Sequence, residues 1–252
     1  MVGWIDEGVV LAVRKHGEAA AIVSLLTRAH GRHAGLVRGG AGRRQRGVLL
    51  PGNEVRAAWR ARLADHLGSY TLEPTRARTA SLLDRADRLA GLAAACAVLE
   101  AAVPEREPHP TLHAALAALL DALVDSDAWP AVYVRFELGL LQELGFGLDL
   151  SRCAVTGGHE NLAFVSPRSG RAVSAEAAAP WKQKLLPLPP FLLGAQAGAL
   201  AADDLRHGLA LTGHFLERHV LAPARKPLPA ARIRLVEQFG KLTTTSSVIV
   251  PS

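Results

Sequence analysis

The sequence predicts a two-part α and β protein: a small closed barrel of five short strands, then an all-α domain carrying a small loop-and-hairpin insert. Three observations lead there. Through residues 1–75, short runs of apolar and alternating side chains recur at strand length between turn signals. From Thr79 the apolar spacing changes to the three-and-four rhythm of helices. Finally, 49% of the chain is hydrophobic but only 5% aromatic, with much alanine, which suits close helix packing. The pattern places the barrel at 1–78, the helical domain at 79–241 with its insert at 149–178, and a flexible tail at 242–252.

The strands follow in order. "GVVLAVR" (8–14) is rich in valine, and "AAIVSLLT" (20–27) is apolar on both faces. The turn "RAHG" leads into "RHAGLV" (32–37). "NEVRAAWRARL" (53–63) alternates strictly, with Val55, Ala57, Trp59 and Ala61 on one face and Arg56, Arg60 and Arg62 on the other. "GSYTLEP" (68–74) supplies the fifth strand. Closing so many short strands into a barrel removes their exposed edges.

The helical rhythm starts with Leu82, Leu83, Ala86, Leu89, Ala90, Ala93 and Ala97, with Thr79 or Ser81 as the expected N-cap. Thr111 is expected to cap a second helix carrying Leu112, Leu116, Leu119, Leu120 and Leu123. A third spans about 130–144, with Tyr133, Phe136, Leu140, Leu141 and Leu144 inward and Gly145 as its stop. Residues 149–174 lose the helical period, which resumes near Asp203 and continues to Leu221.

Charge is distributed unevenly. The chain carries a formal +6, yet residues 1–80 hold 13 Lys/Arg against 6 Asp/Glu, and the remainder holds 16 against 17. Between Arg28 and Arg62 stand nine arginines and one acid, Glu54. A merely solvated face mixes both signs; this one-sided run points to an anionic partner. Its centre is "VRGGAGRRQRGVLLPG" (37–52), with Arg38, Arg43, Arg44 and Arg46 among five glycines.

That run is not a nucleotide cradle. Gly42 and Gly47 have the Walker spacing, but Val48 and Leu49 follow where lysine and a hydroxyl are required. A dinucleotide fingerprint fails at Gln45. There is no G-x-S-x-G elbow, and His214 and His219 lack the H-E-x-x-H pattern. His109 and His113 have no accompanying carboxylate cluster, and Asp203 and Asp204 suit a helix start. No enzyme, cofactor or metal site is therefore expected. Two cysteines make no disulfide framework, and Cys96 reads as a small buried hydrophobe. "MVGWIDEGVV" lacks a basic leader region, and no apolar run approaches 18 residues. A cytoplasmic, nucleoid-associated protein without membrane contact is expected.

Nucleic-acid binding is the reading that survives. Arg38, Arg43, Arg44 and Arg46 on a flexible connection, with Arg56, Arg60 and Arg62 on one strand face, would grip phosphates without reading bases. Trp59 and Tyr70 would be candidates for base stacking, although Trp59 faces away from the arginines and so toward the core. The charge pattern alone fits an RNA- or ribosome-associated module as well as a DNA-binding one.

Four stretches carry a family resemblance: "WIDEGVVLAVRKHGEAAAIVSLLTRAHGRHAGLVRGG", "LLPGNEVRAAWRARLADHLGSYTLEP", "YVRFELGLLQELGFGLDLSRCAVTG" and "LAFVSPRSGRAVS". Over nearly its whole length the sequence resembles the bacterial recombination mediators of the RecO family. The resemblance implies an N-terminal OB-fold, a helical C-terminal domain and no catalysis. It implies binding of single- and double-stranded DNA and annealing of complementary strands. Loading of RecA, together with RecR, onto DNA covered by single-stranded DNA-binding protein (SSB) is also implied. The family recognises the acidic, phenylalanine-ended tail of SSB, in many members through a groove of the helical domain. Arg135 matches the position that would meet the tail's charge, and Phe136 and Leu140 would either border an apolar pocket or be plain core residues. Some members hold zinc with two C-x-x-C pairs; here those positions read Cys153 and Thr156, then Ser174 and Ala177. One ligand out of about four remains, so no metal is expected.

Overall fold

A computed structural model of the chain describes residues 1–42, 45, 47–194 and 200–245. The early segments form β1 (Val2–His16), β2 (Ala20–Thr27), β3 (Gly31–Val37), β4 (Glu54–Ala61) and β5 (Ser69–Arg76). They close into a barrel in the order β1-β2-β3-β5-β4. β4 has the expected alternation, with Val55, Ala57, Trp59 and Ala61 buried and Arg56 and Arg60 exposed. β1 begins six residues earlier than its valines suggest, because it serves two neighbours. Val2–Val9 pair with β4 and Gly8–His16 with β2, and an irregularity between Val10 and Ala12 bends the strand around the corner. Leu36 pairs parallel with Ser69 to close the seam. Val10, Val23, Leu25, Val37, Val55, Trp59, Tyr70 and Leu72 fill the interior. This is the OB-fold barrel.

The first two helices belong physically to the barrel. The chain divides into compact units at 1–126 and 127–252, so α1 (Ala86–Ala102) and α2 (Pro110–Asp125) fall in the first unit. Buried Arg78 explains part of this. Its guanidinium meets Asp121 of α2 at 3.0 Å and also pairs with Glu54 at the start of β4. Ser24 of β2 donates to Glu100 of α1 at 2.5 Å. The expected caps are displaced for a related reason: Thr79 sits in a 3₁₀ turn, its hydroxyl bonded to the Pro51 carbonyl at 2.6 Å, while the residues flanking the helix starts are Arg85 and His109.

Gly31 positions the connection between α1 and α2. Its φ is +66°, and a β-carbon there would lie 1.8 Å from the Glu107 carbonyl oxygen. Both backbone strain and overlap oppose any side chain. Gly31→Ala should therefore lower stability by about 2 kcal/mol, read as a fall in the urea midpoint.

In the second unit α3 (Trp129–Glu143) follows the expected helix, and Gly145 stops it at φ +84°. The insert contains β6 (Leu162–Val165), β7 (Ala172–Ser174), a single turn α4 (Ala175–Ala178) and β8 (Leu186–Pro187), with strands ordered β7-β6-β8. α5 (Ala202–Phe215) continues as a π-helical turn over Leu216–Leu221. A last helix, α6 (Ala230–Thr245), is not anticipated as a separate element by the sequence pattern. Helical backbone therefore extends into the expected tail, and 246–252 lie outside the described residues. Among the described residues no helix is long and apolar enough to cross a membrane.

Candidate nucleic-acid interface

Four of the seven arginines singled out in the barrel, Arg38, Arg56, Arg60 and Arg62, fall among the described residues. Arg43, Arg44 and Arg46 lie outside the described residues. Arg38 is exposed in the turn after β3, whose path is set by the Ala41 N–H donating to the Ala19 carbonyl at 3.1 Å. Arg60 is exposed near the end of β4, and Arg62 follows it into the β4–β5 connection. Ser69 of β5 pairs with Arg60 on one side and Leu36 on the other, so the seam brings the Arg38 turn within two strands of Arg60.

Arg56 is different. Its cross-strand neighbours are Glu7 on β1 and Glu73 on β5. Opposite charges directly across a ladder attract, so this part of the outer face is close to neutral. The positive end of β4 is the Arg60–Arg62 end. Arg32, also in the basic run, is taken by structure: its guanidinium bonds the Val103 carbonyl at 2.7 Å and Glu105 at 3.2 Å.

Beside Arg60 the barrel holds a row of aromatic side chains. Trp4 of β1 is the direct partner of Trp59 on β4, which is in turn the partner of Tyr70 on β5. Trp4 stacks on His30 with centroids 4.2 Å apart and planes 9° apart, and lies 5.7 Å from Trp59 at 21°. His33 meets Trp59 edge-on at 4.9 Å. Trp59 and Tyr70 are 2% and 5% exposed, so they are core residues rather than stacking surfaces. Trp4 and His30 are partly exposed and border a cleft of about 310 Å³ with Arg106 and Pro108. This cleft is invisible to a reading of the sequence, because its residues come from positions 4, 30, 33, 59, 106 and 108.

Two family models match the chain in succession: Recombination protein O N terminal over residues 1–78, and Recombination protein O C terminal over 83–228. A DNA repair protein RecO from Rhodospirillum centenum is 54% identical over 247 residues, covering 97% of this chain and 98% of that protein. One from Cereibacter sphaeroides is 56% identical over 243 residues, covering 96% and 100% respectively. The chain belongs to the RecO family. The resemblance carried by four stretches thus extends over almost every residue, and the RecO relatives bear the name of DNA repair proteins.

In this RecO chain the three residues considered for the SSB tail are divided by burial. Phe136 is 4% and Leu140 0% exposed, so both are core residues holding α3 in place. Arg135 reaches the surface, where its guanidinium donates to the Phe191 carbonyl at 2.6 Å and lies 6.0 Å from that ring's centre. Of the three, Arg135 is the one whose side chain is accessible.

The degenerate zinc positions of the RecO insert converge. The Ser174 N–H donates to the Cys153 sulfur at 3.3 Å, the Ser174 hydroxyl lies 3.5 Å from it, and Ala177 packs against the same small cluster. Burial pushes the Cys153 thiol up, but hydrogen bonds involving Ser174 and Thr156 outweigh it and bring it down to about 6. One thiol, two hydroxyls and a methyl group do not fit zinc, which takes thiolate or imidazole ligands in structural sites. The side chains close this corner by hydrogen bonding and packing.

Proposed function

We propose that the protein is a non-enzymatic DNA-repair and recombination mediator. It binds single- and double-stranded DNA through the barrel, anneals complementary strands, holds the SSB tail, and acts with RecR to help load RecA on SSB-coated DNA. The observation that carries this reading is the exposed Arg38, Arg60 and Arg62 on an OB-fold barrel of a RecO-family chain. Guanidinium groups placed this way neutralise phosphates and are indifferent to sequence. Two strands attracted to one basic surface repel each other less, which favours annealing. Holding the SSB tail as well keeps the mediator near its DNA, where local concentration raises occupancy.

Salt dependence tests the grip. Replacing Arg60 and Arg62 with alanine should flatten the slope of log K against log salt for single strands by roughly 1.4, at about 0.7 per lost phosphate contact. The Arg43, Arg44 and Arg46 triple variant measures the glycine-rich connection in the same way. An unchanged slope in both variants would remove the barrel arginines from the DNA grip.

A further inference from the structure

We infer that the cleft bordered by Trp4, His30 and Arg106 holds one unstacked nucleobase of a bound single strand. This rests on the DNA-binding reading above and adds to it a base contact beside the phosphate contacts. Trp59, Trp4 and His30 form a column of rings that starts in the core and ends in solvent. Trp59 is 2% exposed, whereas the His30 side chain is 34% exposed. A column of this kind offers an aromatic surface to whatever enters the cleft, and bases stack on aromatic rings regardless of their identity.

Both walls are fixed before any ligand arrives. The His30 ring is held by Asp6 at 3.1 Å, and Asp6 itself accepts the Ala29 N–H at 2.7 Å. Across the cleft the Arg106 guanidinium donates to the Ala64 and His66 carbonyls at 2.7 and 2.8 Å, and the Arg106 N–H donates to the Arg32 carbonyl at 2.8 Å. Side chains locked in this way lose little freedom when a ligand docks. The mouth also lies next to the basic end of β4. Gly3 borders the cleft and is the β1 partner of Arg60, while Val2 is the partner of Ala61. A strand whose phosphates rest on Arg60 and Arg62 therefore passes the opening. Duplex DNA keeps its base faces stacked, so the cleft is a contact for single strands.

The test compares the full-length chain on two oligomers of equal length and charge, oligo-dT and an abasic strand, at matched salt. The wild type should bind oligo-dT about tenfold more tightly. His30→Ala removes the outer ring, and Ala64→Trp fills the mouth from an exposed loop position that tolerates a large side chain. Each should bring the ratio near one while leaving the salt slope unchanged. A ratio of one in the wild type would overturn the inference, as would a ratio that survives both variants. A base preference seen only with ribo-oligomers would overturn it too. If the wild type binds neither oligomer, the DNA-binding reading itself fails.

Discussion

Glu137→Ala should destabilise the second unit by about 3–5 kcal/mol. Glu137 is 0% exposed. One carboxylate oxygen accepts the Tyr133 hydroxyl at 2.9 Å and Arg232 Nε at 3.0 Å. The other accepts Arg232 Nη2 at 3.0 Å and the Thr212 hydroxyl. Arg232, 4% exposed, completes its set at the Leu209 carbonyl, 2.6 Å away. Burial opposes the Arg232 charge, but the adjacent carboxylate more than compensates and holds its pKa above the ordinary value. Alanine at 137 would leave the buried Arg232 guanidinium without its adjacent carboxylate and would take one acceptor from each of the Tyr133 and Thr212 hydroxyls. The cost is desolvation rather than lost attraction, so removing both charges together should behave differently. A Glu137→Met, Arg232→Met double variant should recover most of the stability. Urea unfolding of the single and double variants, followed by circular dichroism, measures both; equal losses in the two would show that packing alone matters here.

That pair also shows where a sequence stops being readable. β4 is legible because every inward side chain is apolar while arginines recur on its outward face at Arg56 and Arg60. α6 is not, since one of its inward positions is Arg232, which makes sense only against a glutamate 95 residues earlier. The N-terminal half of β1 is hidden similarly: Gly3, Asp6 and Glu7 break the apolar run, and the strand exists because β4 lies beside it. At the candidate site, the alternation puts Arg56 and Arg60 on one face correctly, yet it treats them as equivalent. Only the barrel's register places Glu7 and Glu73 against Arg56 and leaves the positive end to Arg60 and Arg62. Phe136 and Leu140 fit both a core and a pocket in one dimension, and burial decides for the core. Long-range pairing is the missing information in each case.

Acid should weaken the barrel well above the pH at which carboxylates protonate. His33 is 3% exposed, its Nδ1 lies 2.9 Å from the Tyr70 hydroxyl oxygen, and Trp4 and Trp59 meet its ring edge-on. Burial, helped by the positive Arg106 nearby, lowers its pKa from 6.5 to about 4. Because the folded value is depressed, the unfolded chain takes up the proton first. Stability is therefore complete above pH 6.5, falls as pH drops through the interval, and levels off below about 4. Each tenfold difference in proton affinity between the folded and unfolded chain is worth about 1.4 kcal/mol. Between about pH 7.5 and pH 5 the loss from this residue should therefore be about 2 kcal/mol. The partly buried His113 is shifted in the same direction and adds to the slope. Asp6 is shifted downward instead, so its own effect begins only below its ordinary value of 3.8. His33→Phe separates the contributions, since it keeps a flat ring among the aromatics and cannot bind a proton. It should lower stability at neutral pH, where Tyr70 loses a partner, and flatten the dependence of the urea midpoint between about pH 7.5 and 5. A variant as pH-sensitive as the wild type would place the acid response at His113 instead.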